Sequence, residues 1–185
     1  MKRIAYILCF LATVLLCVLL FASCTKEGGN ALSDHSGVYH IESMYWTGEI
    51  IDFNGDGVGE RDMLHEFYGY PDYVKDWITG EAVLVDDSTL SFNSVIPVCV
   101  KSALAVQPEI KYYDIEIQAK WHNEWGKPGF STETFEPVAS DVWKGVKRAI
   151  LYNISDSSYE LHVECSLYTQ ETGIVNGTMI FSFKK

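Results

Sequence analysis

Tyr159-Glu160-Leu161-His162-Val163-Glu164-Cys165-Ser166-Leu167 alternates apolar and polar side chains at every step. A period of two puts one face in a core and the other in water, which is the periodicity of a strand. Two more stretches repeat it. Tyr113, Ile115, Ile117, Ala119 and Trp121 alternate with Asp114, Glu116, Gln118 and Lys120. Val175, Gly177, Met179, Phe181 and Phe183 alternate with Asn176, Thr178, Ile180 and Ser182. Residues 38–46, 82–85, 89–93, 95–100 and 146–154 also read as strands, and 86–88, 155–158 and 169–173 have hairpin-turn composition. Helix is confined to 62–68, with Asp62 as its N-cap. The reading is all-β, about eight strands in antiparallel succession. Closing the sheet into a small up-and-down barrel removes its exposed edges; a β-sandwich is the alternative.

The chain has 185 residues, 14% aromatic and 21% charged, which fits one folded domain and excludes a disordered chain. Its formal charge of −11 would repel phosphate, so nucleic acid is not an expected partner. The same charge excludes a polybasic membrane-surface module. No Gly-x-Ser-x-Gly, His-Glu-x-x-His or Gly-rich phosphate loop is present, and the five histidines are scattered. No catalytic residues are expected.

The N-terminus carries the clearest address. Lys2 and Arg3 precede an uncharged apolar run, 4–21, that closes with Phe21-Ala22-Ser23-Cys24. A basic start, an apolar stretch and a small-residue cleavage site make an export signal. The run is also about long enough to span a bilayer, but it ends in small residues and Cys with no basic stop-transfer cluster after it. Phe21-Ala22-Ser23-Cys24 resembles the bacterial lipobox, with Phe21 where Leu is usual. That resemblance implies a signal peptide over 1–23 and lipidation of Cys24. Several acyl chains on Cys24 would anchor the protein in a cell-envelope membrane, with the outer membrane preferred. Residues 24–36 then form the lipidated Cys and a flexible tether rich in Gly, Ser and Asn, and 37–185 the barrel domain. Two cysteines remain in that domain, Cys99 and Cys165. They are candidates for one disulfide in an oxidising envelope, or for two buried thiols.

The chemistry-bearing stretch is Asp52-Phe53-Asn54-Gly55-Asp56-Gly57-Val58. Asp52, Asn54 and Asp56 at alternate positions, the Val58 carbonyl, and Asp62 further on can supply oxygens to a hard cation, so calcium is a candidate cofactor. Met63 stands where an EF-hand has its glutamate, and the preceding segment reads as extended, so this is not an EF-hand. The alternative is an Asx-rich turn leading into the short helix.

With Gly37-Val38-Tyr39 at the first strand, this loop, Asp62-Met63-Leu64, and a strand-rich remainder ending Phe181-Ser182-Phe183-Lys184-Lys185, the chain resembles lipocalin-like (calycin-type β-barrel) lipoproteins of Bacteroidetes. The resemblance implies a fold and a location more than an activity. A barrel of this size is filled by side chains or holds one small ligand. Trp121 and Trp125 could stack on a ligand at the barrel mouth, with Tyr70 and Tyr73 in a second aromatic loop; otherwise the aromatics fill the core. The function expected is a non-enzymatic binding or interaction module for a small apolar ligand or glycan. An accessory subunit docking a partner protein, or a hydrolase with a calcium-organised loop, are the alternatives.

Overall fold

The computed structural model of the chain describes residues 31–69, 76–102, 108–137 and 145–185. A 3-10 turn, Ala31–His35, leads into eight strands: β1 Gly37–Trp46, β2 Thr79–Asp86, β3 Thr89–Lys101, β4 Pro108–Glu124, β5 Lys127–Thr132, β6 Val146–Tyr152, β7 Ser158–Thr169 and β8 Gly173–Lys184. One short helix, α1 Met63–Tyr68, lies between β1 and β2. No helix among the described residues is long and apolar enough to cross a membrane. The signal segment 1–23 and Cys24 lie outside the described residues.

The strands form one antiparallel sheet in the order β5-β4-β3-β2-β1-β8-β7-β6. It curls into a nearly closed up-and-down barrel, so the barrel expectation holds and the sandwich does not. Apart from β5 and β6, strands that follow one another in sequence pair through hairpins or longer connections, and β1 pairs with β8 to bring the two halves together. The alternating stretches behave as their period demands. Tyr159 faces Phe183, Leu161 faces Phe181 and Val163 faces Met179 across β7 and β8, and all six are buried. Two details differ from the sequence reading. Residues 89–93 and 95–100 belong to one continuous strand, β3, because Ser94 points its hydroxyl into the core and finds a partner there. β5 was not expected, since Lys127-Pro128-Gly129 has the composition of a turn.

Closure is incomplete between the two end strands. Phe135, just past β5, exchanges backbone hydrogen bonds of 2.9 Å with Ala149 of β6. The Thr132 hydroxyl reaches the Leu151 carbonyl at 3.5 Å. Antiparallel parity then gives the barrel two distinct ends. The near end carries the start of β1, the end of β8 and the β2–β3, β4–β5 and β6–β7 hairpins. The β1–β2 connection, with the acidic loop and α1, leaves from the far end.

Aromatic side chains fill the interior. The Tyr159 ring stands 4.9 Å from Tyr39, 4.9 Å from Phe92 and 4.8 Å from Phe183, stacked on the last. Its hydroxyl pairs with the Ser94 hydroxyl at 2.9 Å. Tyr39 is fully buried, its hydroxyl donates to the His35 carbonyl at 2.5 Å, and the Lys185 ammonium sits over its ring. At the far end Trp46 plugs the barrel, its indole N–H donating to the Glu49 carbonyl at 2.9 Å.

Gly80 of β2 is required by this packing, because a Cβ there would lie 1.7 Å from the Tyr159 hydroxyl oxygen. Overpacking of a full core costs about 1–3 kcal/mol. Gly80→Ala is therefore expected to lower stability by about that amount. Tyr159→Phe in the same background should recover part of it, although Tyr159→Phe alone costs about 1 kcal/mol by leaving Ser94 unpaired. A double-mutant cycle in urea measures the coupling, and additive effects would contradict the contact.

Cys99 and Cys165 are buried free thiols, so the disulfide weighed from sequence is not formed in this structure. The Cys99 thiol donates instead to the Tyr168 carbonyl at 3.2 Å. Burial pushes both thiols up to about 12 from an ordinary value of 9.0. The folded chain keeps these protons at pH values where the unfolded chain has released them, so stability falls as pH rises above 9. The expected slope approaches about 1.4 kcal/mol per pH unit for each thiol. Urea unfolding between about pH 8 and pH 10 should show this decline in the wild type. The Cys99→Ala, Cys165→Ala double variant should lose most of this decline, keeping the smaller part that the buried Tyr39 and Tyr159 hydroxyls, also pushed up by burial, add near pH 10.

Candidate functional site

The incomplete seam opens a cleft of about 700 Å³ at the near end. Its walls come from three segments that are distant in sequence: Asp34 and His35 of the 3-10 turn, Trp121 with Pro128–Thr132 of the β4–β5 hairpin, and Leu151–Asp156 of the β6–β7 hairpin. Small-molecule sites typically span roughly 300–1,000 Å³. Trp121 and Phe130 are direct cross-strand partners, with rings 5.0 Å apart, edge to face. The His35 ring stands edge-on to Phe130 at 5.1 Å and 6.2 Å from Trp121. These three rings make a continuous aromatic wall, with Leu151, Tyr152 and Ile154 across from it on the other lip of the seam. Polar side chains also line it: Asp34 and Asp156 bring negative charge beside Thr132, Asn153 and Ser155, and among the described residues no Lys or Arg lines the cleft. His35 Nδ1 is buried with no hydrogen-bond partner among the described residues. An aromatic wall in a cleft otherwise lined by polar groups suits a small organic molecule that offers one flat apolar face and hydrogen-bonding groups beside it.

Of the aromatic residues proposed from sequence, Trp121 is half-buried in this wall. Trp125 is not part of it. It sits at the tip of the β4–β5 hairpin and is 98% exposed. Tyr70 and Tyr73 lie outside the described residues. Sequence reasoning did not find His35, Phe130 or Tyr152. Phe130 was hidden by the turn-like start of β5, and barrel closure alone brings His35 to the wall and Tyr152, whose ring packs on His162, to the opposite lip.

The acidic loop lies at the opposite end, so the structure does not bring the two proposed sites together. Its oxygens serve the loop itself. Asp52 accepts the Gly55 N–H at 2.7 Å through Oδ1 and the Gly57 N–H at 2.8 Å through Oδ2. Asn54 Oδ1 accepts the Asp56 N–H at 2.9 Å, and Asp56 Oδ1 accepts the Val58 N–H at 2.8 Å. Asn54 Nδ2 donates to the remaining Asp56 oxygen at 3.1 Å. These are successive Asx turns, with Gly55 and Gly57 in the left-handed region. Asp62 is turned to α1, where its carboxylate caps the Leu64 N–H at 3.1 Å. As arranged, Asp52, Asn54 and Asp56 accept backbone amides within the loop, Val58 supplies one of those amides, and Asp62 caps α1. Among the described residues no group of three or more His, Cys, Asp or Glu is placed to hold a metal ion.

The loop depends on a residue that sequence reasoning passed over. Glu66 of α1 is 1% exposed, and its carboxylate accepts the N–H groups of Phe53 at 2.7 Å, Asn54 at 3.1 Å and Glu60 at 3.0 Å. Charge-assisted bonds of this kind explain how a carboxylate tolerates burial. The Arg61 guanidinium adds a second tie, donating to the Trp46 carbonyl at 3.1 Å and the Gly48 carbonyl at 2.7 Å. Glu66 therefore pins both limbs of the loop to α1, and Arg61 pins the loop to the end of β1.

In comparisons with known proteins, no family model and no curated protein matches the chain.

Glu66→Gln keeps the side-chain volume but leaves one acceptor oxygen where two served three donors. It is expected to cost about 2–3 kcal/mol and to speed amide exchange at Phe53, Asn54 and Glu60. Exchange at strand amides of β7 and β8 should follow only the global change. Unchanged protection at those three loop amides would remove Glu66 as the clasp.

Proposed function

We propose that this chain is a lipid-anchored cell-envelope protein that binds a small organic molecule, apolar or glycan-like, in the cleft at the barrel seam. The observation that carries the reading is the aromatic wall of Trp121, Phe130 and His35 along an opening of about 700 Å³. The interior is occupied by Tyr39, Phe92, Tyr159, Phe181 and Phe183, all essentially inaccessible to solvent, so a ligand is sought at the seam and not along the barrel axis. Flat aromatic faces beside carboxylates bind the apolar faces of sugars as readily as apolar rings, which keeps both ligand classes in the proposal. The envelope location rests on the export signal 1–23 and the lipobox ending in Cys24, with outer-membrane attachment as the preferred site. The barrel is consistent with a lipocalin-like fold. A Bacteroidetes-type lipoprotein of that fold is the whole-protein assignment proposed.

The test is a binding screen on the mature lipidated protein in detergent, using apolar small molecules and oligosaccharides, read by native mass spectrometry and thermal shift. A bound compound is expected to lose at least about tenfold in affinity in Trp121→Ala, as an aromatic anchor does when truncated. Binding that ignores Trp121→Ala would move the site elsewhere, and a screen with no binder would sink the ligand reading. Cys24→Ala should release the protein from the membrane fraction; retention of that variant would sink the anchor.

A further inference from the structure

Trp125 sits where a tryptophan serves the fold badly. The last β4–β5 pair is Glu124 with Lys127, so Trp125 and Gly126 form a two-residue turn. Both have positive φ, +56° and +73°. That geometry matches the twist of a hairpin and favours Asn, Asp or Gly at both places. A bulky side chain in the left-handed region costs about 1–2 kcal/mol. Trp125 recovers none of this by packing, being 98% exposed. A strained backbone position that is kept by an exposed ring is a starting point for a functional reading.

The fold says which surface is within reach. Trp125 projects from the near end, where the chain enters the barrel. The 3-10 turn before β1 rests His35 on Phe130 and Trp121 of the same hairpin. Cys24 precedes Ala31 by seven residues, a reach of at most about 25 Å. Lipid on Cys24, which is part of the function proposed above, would thus hold this end close to the bilayer. Tryptophan is enriched at the membrane–water interface, where its ring is apolar and its N–H stays hydrated. Asp34, Asp86, Asp87, Glu124 and Asp156 outnumber Lys127, Lys184 and Lys185 at this end. Attraction to anionic lipid is therefore not the driving force, and a zwitterionic surface is the fitting one.

We propose that Trp125 dips into the interface of the bilayer that holds Cys24, seating the barrel by its near end with the seam cleft beside the lipid and the acidic loop facing away. The exposed Trp77, which precedes β2 at the far end and is 66% exposed, provides an internal control.

The experiment uses the full mature lipidated protein in phosphatidylcholine vesicles brominated near the head group, with unbrominated vesicles as reference. Acylation of Cys24 is checked by mass and attachment by flotation. Bromine is expected to quench part of the tryptophan emission in the wild type and in Trp77→Phe. That quenched component should disappear in Trp125→Asn, a variant suited to the turn and expected to fold at least as stably. An acylated, floating protein whose quenching is absent, or is unchanged in Trp125→Asn, overturns the proposal while leaving the anchor intact. Loss of the component in Trp77→Phe instead would mean the barrel stands the other way up, and also overturns it. A chain without acyl groups that fails to float removes the anchor and the proposal together.

Discussion

Backbone pairing in this barrel runs out between β5 and β6, and the rest of the molecule is arranged around that shortfall. Every other neighbouring pair of strands is laddered, whereas among the described residues this one has a single bridge at Phe135 and Ala149 and one side-chain bond from Thr132. An unpaired seam would ordinarily leave strand backbone open to solvent. Here the longer β4 and the hairpins at the near end fold their aromatic side chains toward the gap. The cleft is thus a product of incomplete closure and not of a hollow interior. The axis of the barrel is occupied by Tyr159 and the rings that touch it, and the free volume lies where the hydrogen-bond ladder stops.

The two functional candidates are separated by the length of the barrel. The cleft lies among the hairpins of one end, and the acidic loop, clasped by Glu66, lies beyond the other. Substitutions in one are remote from the other and share no partners, so their effects should combine without coupling. The loop's carboxylates are already committed to backbone amides, which makes the loop a rigid cover next to Trp46. The cleft retains exposed carboxylates in Asp34 and Asp156.

Most of the fold was legible because a half-buried strand writes its burial into every second residue. That is why β4, β7 and β8 read plainly. The rule failed where a polar side chain faces inward, as Ser94 does to meet Tyr159, and a strand then looks like two. It failed again at β5, an edge strand that tolerates Pro128 and Gly129 because one of its sides carries few ladder bonds. In the cleft only Trp121 was legible, from its place at the end of an alternating strand. Phe130, its partner across the β4–β5 hairpin, was masked by the turn-like Pro128 and Gly129, and His35 and Tyr152 are brought there by long-range closure that no local pattern records. The acidic loop was visible, but alternating Asx oxygens serve a chain of Asx turns as well as a cation. Glu66 looked like an ordinary surface acid on a short helix, and only the tertiary structure reveals it as a buried acceptor for three amides.

Pro128 has a consequence beyond its own strand. A lipid-tethered chain is confined to a plane, where copies meet at high local density. Two barrels with open edges could then extend one sheet into the next. Proline removes an N–H from the β5 edge, and Gly129 beside it weakens that edge as a template. The residues that make β5 hard to read from sequence thus also make it a poor docking strand for a neighbouring copy; on the lipid tether proposed above, they would let the seam stay open without inviting sheet-to-sheet growth.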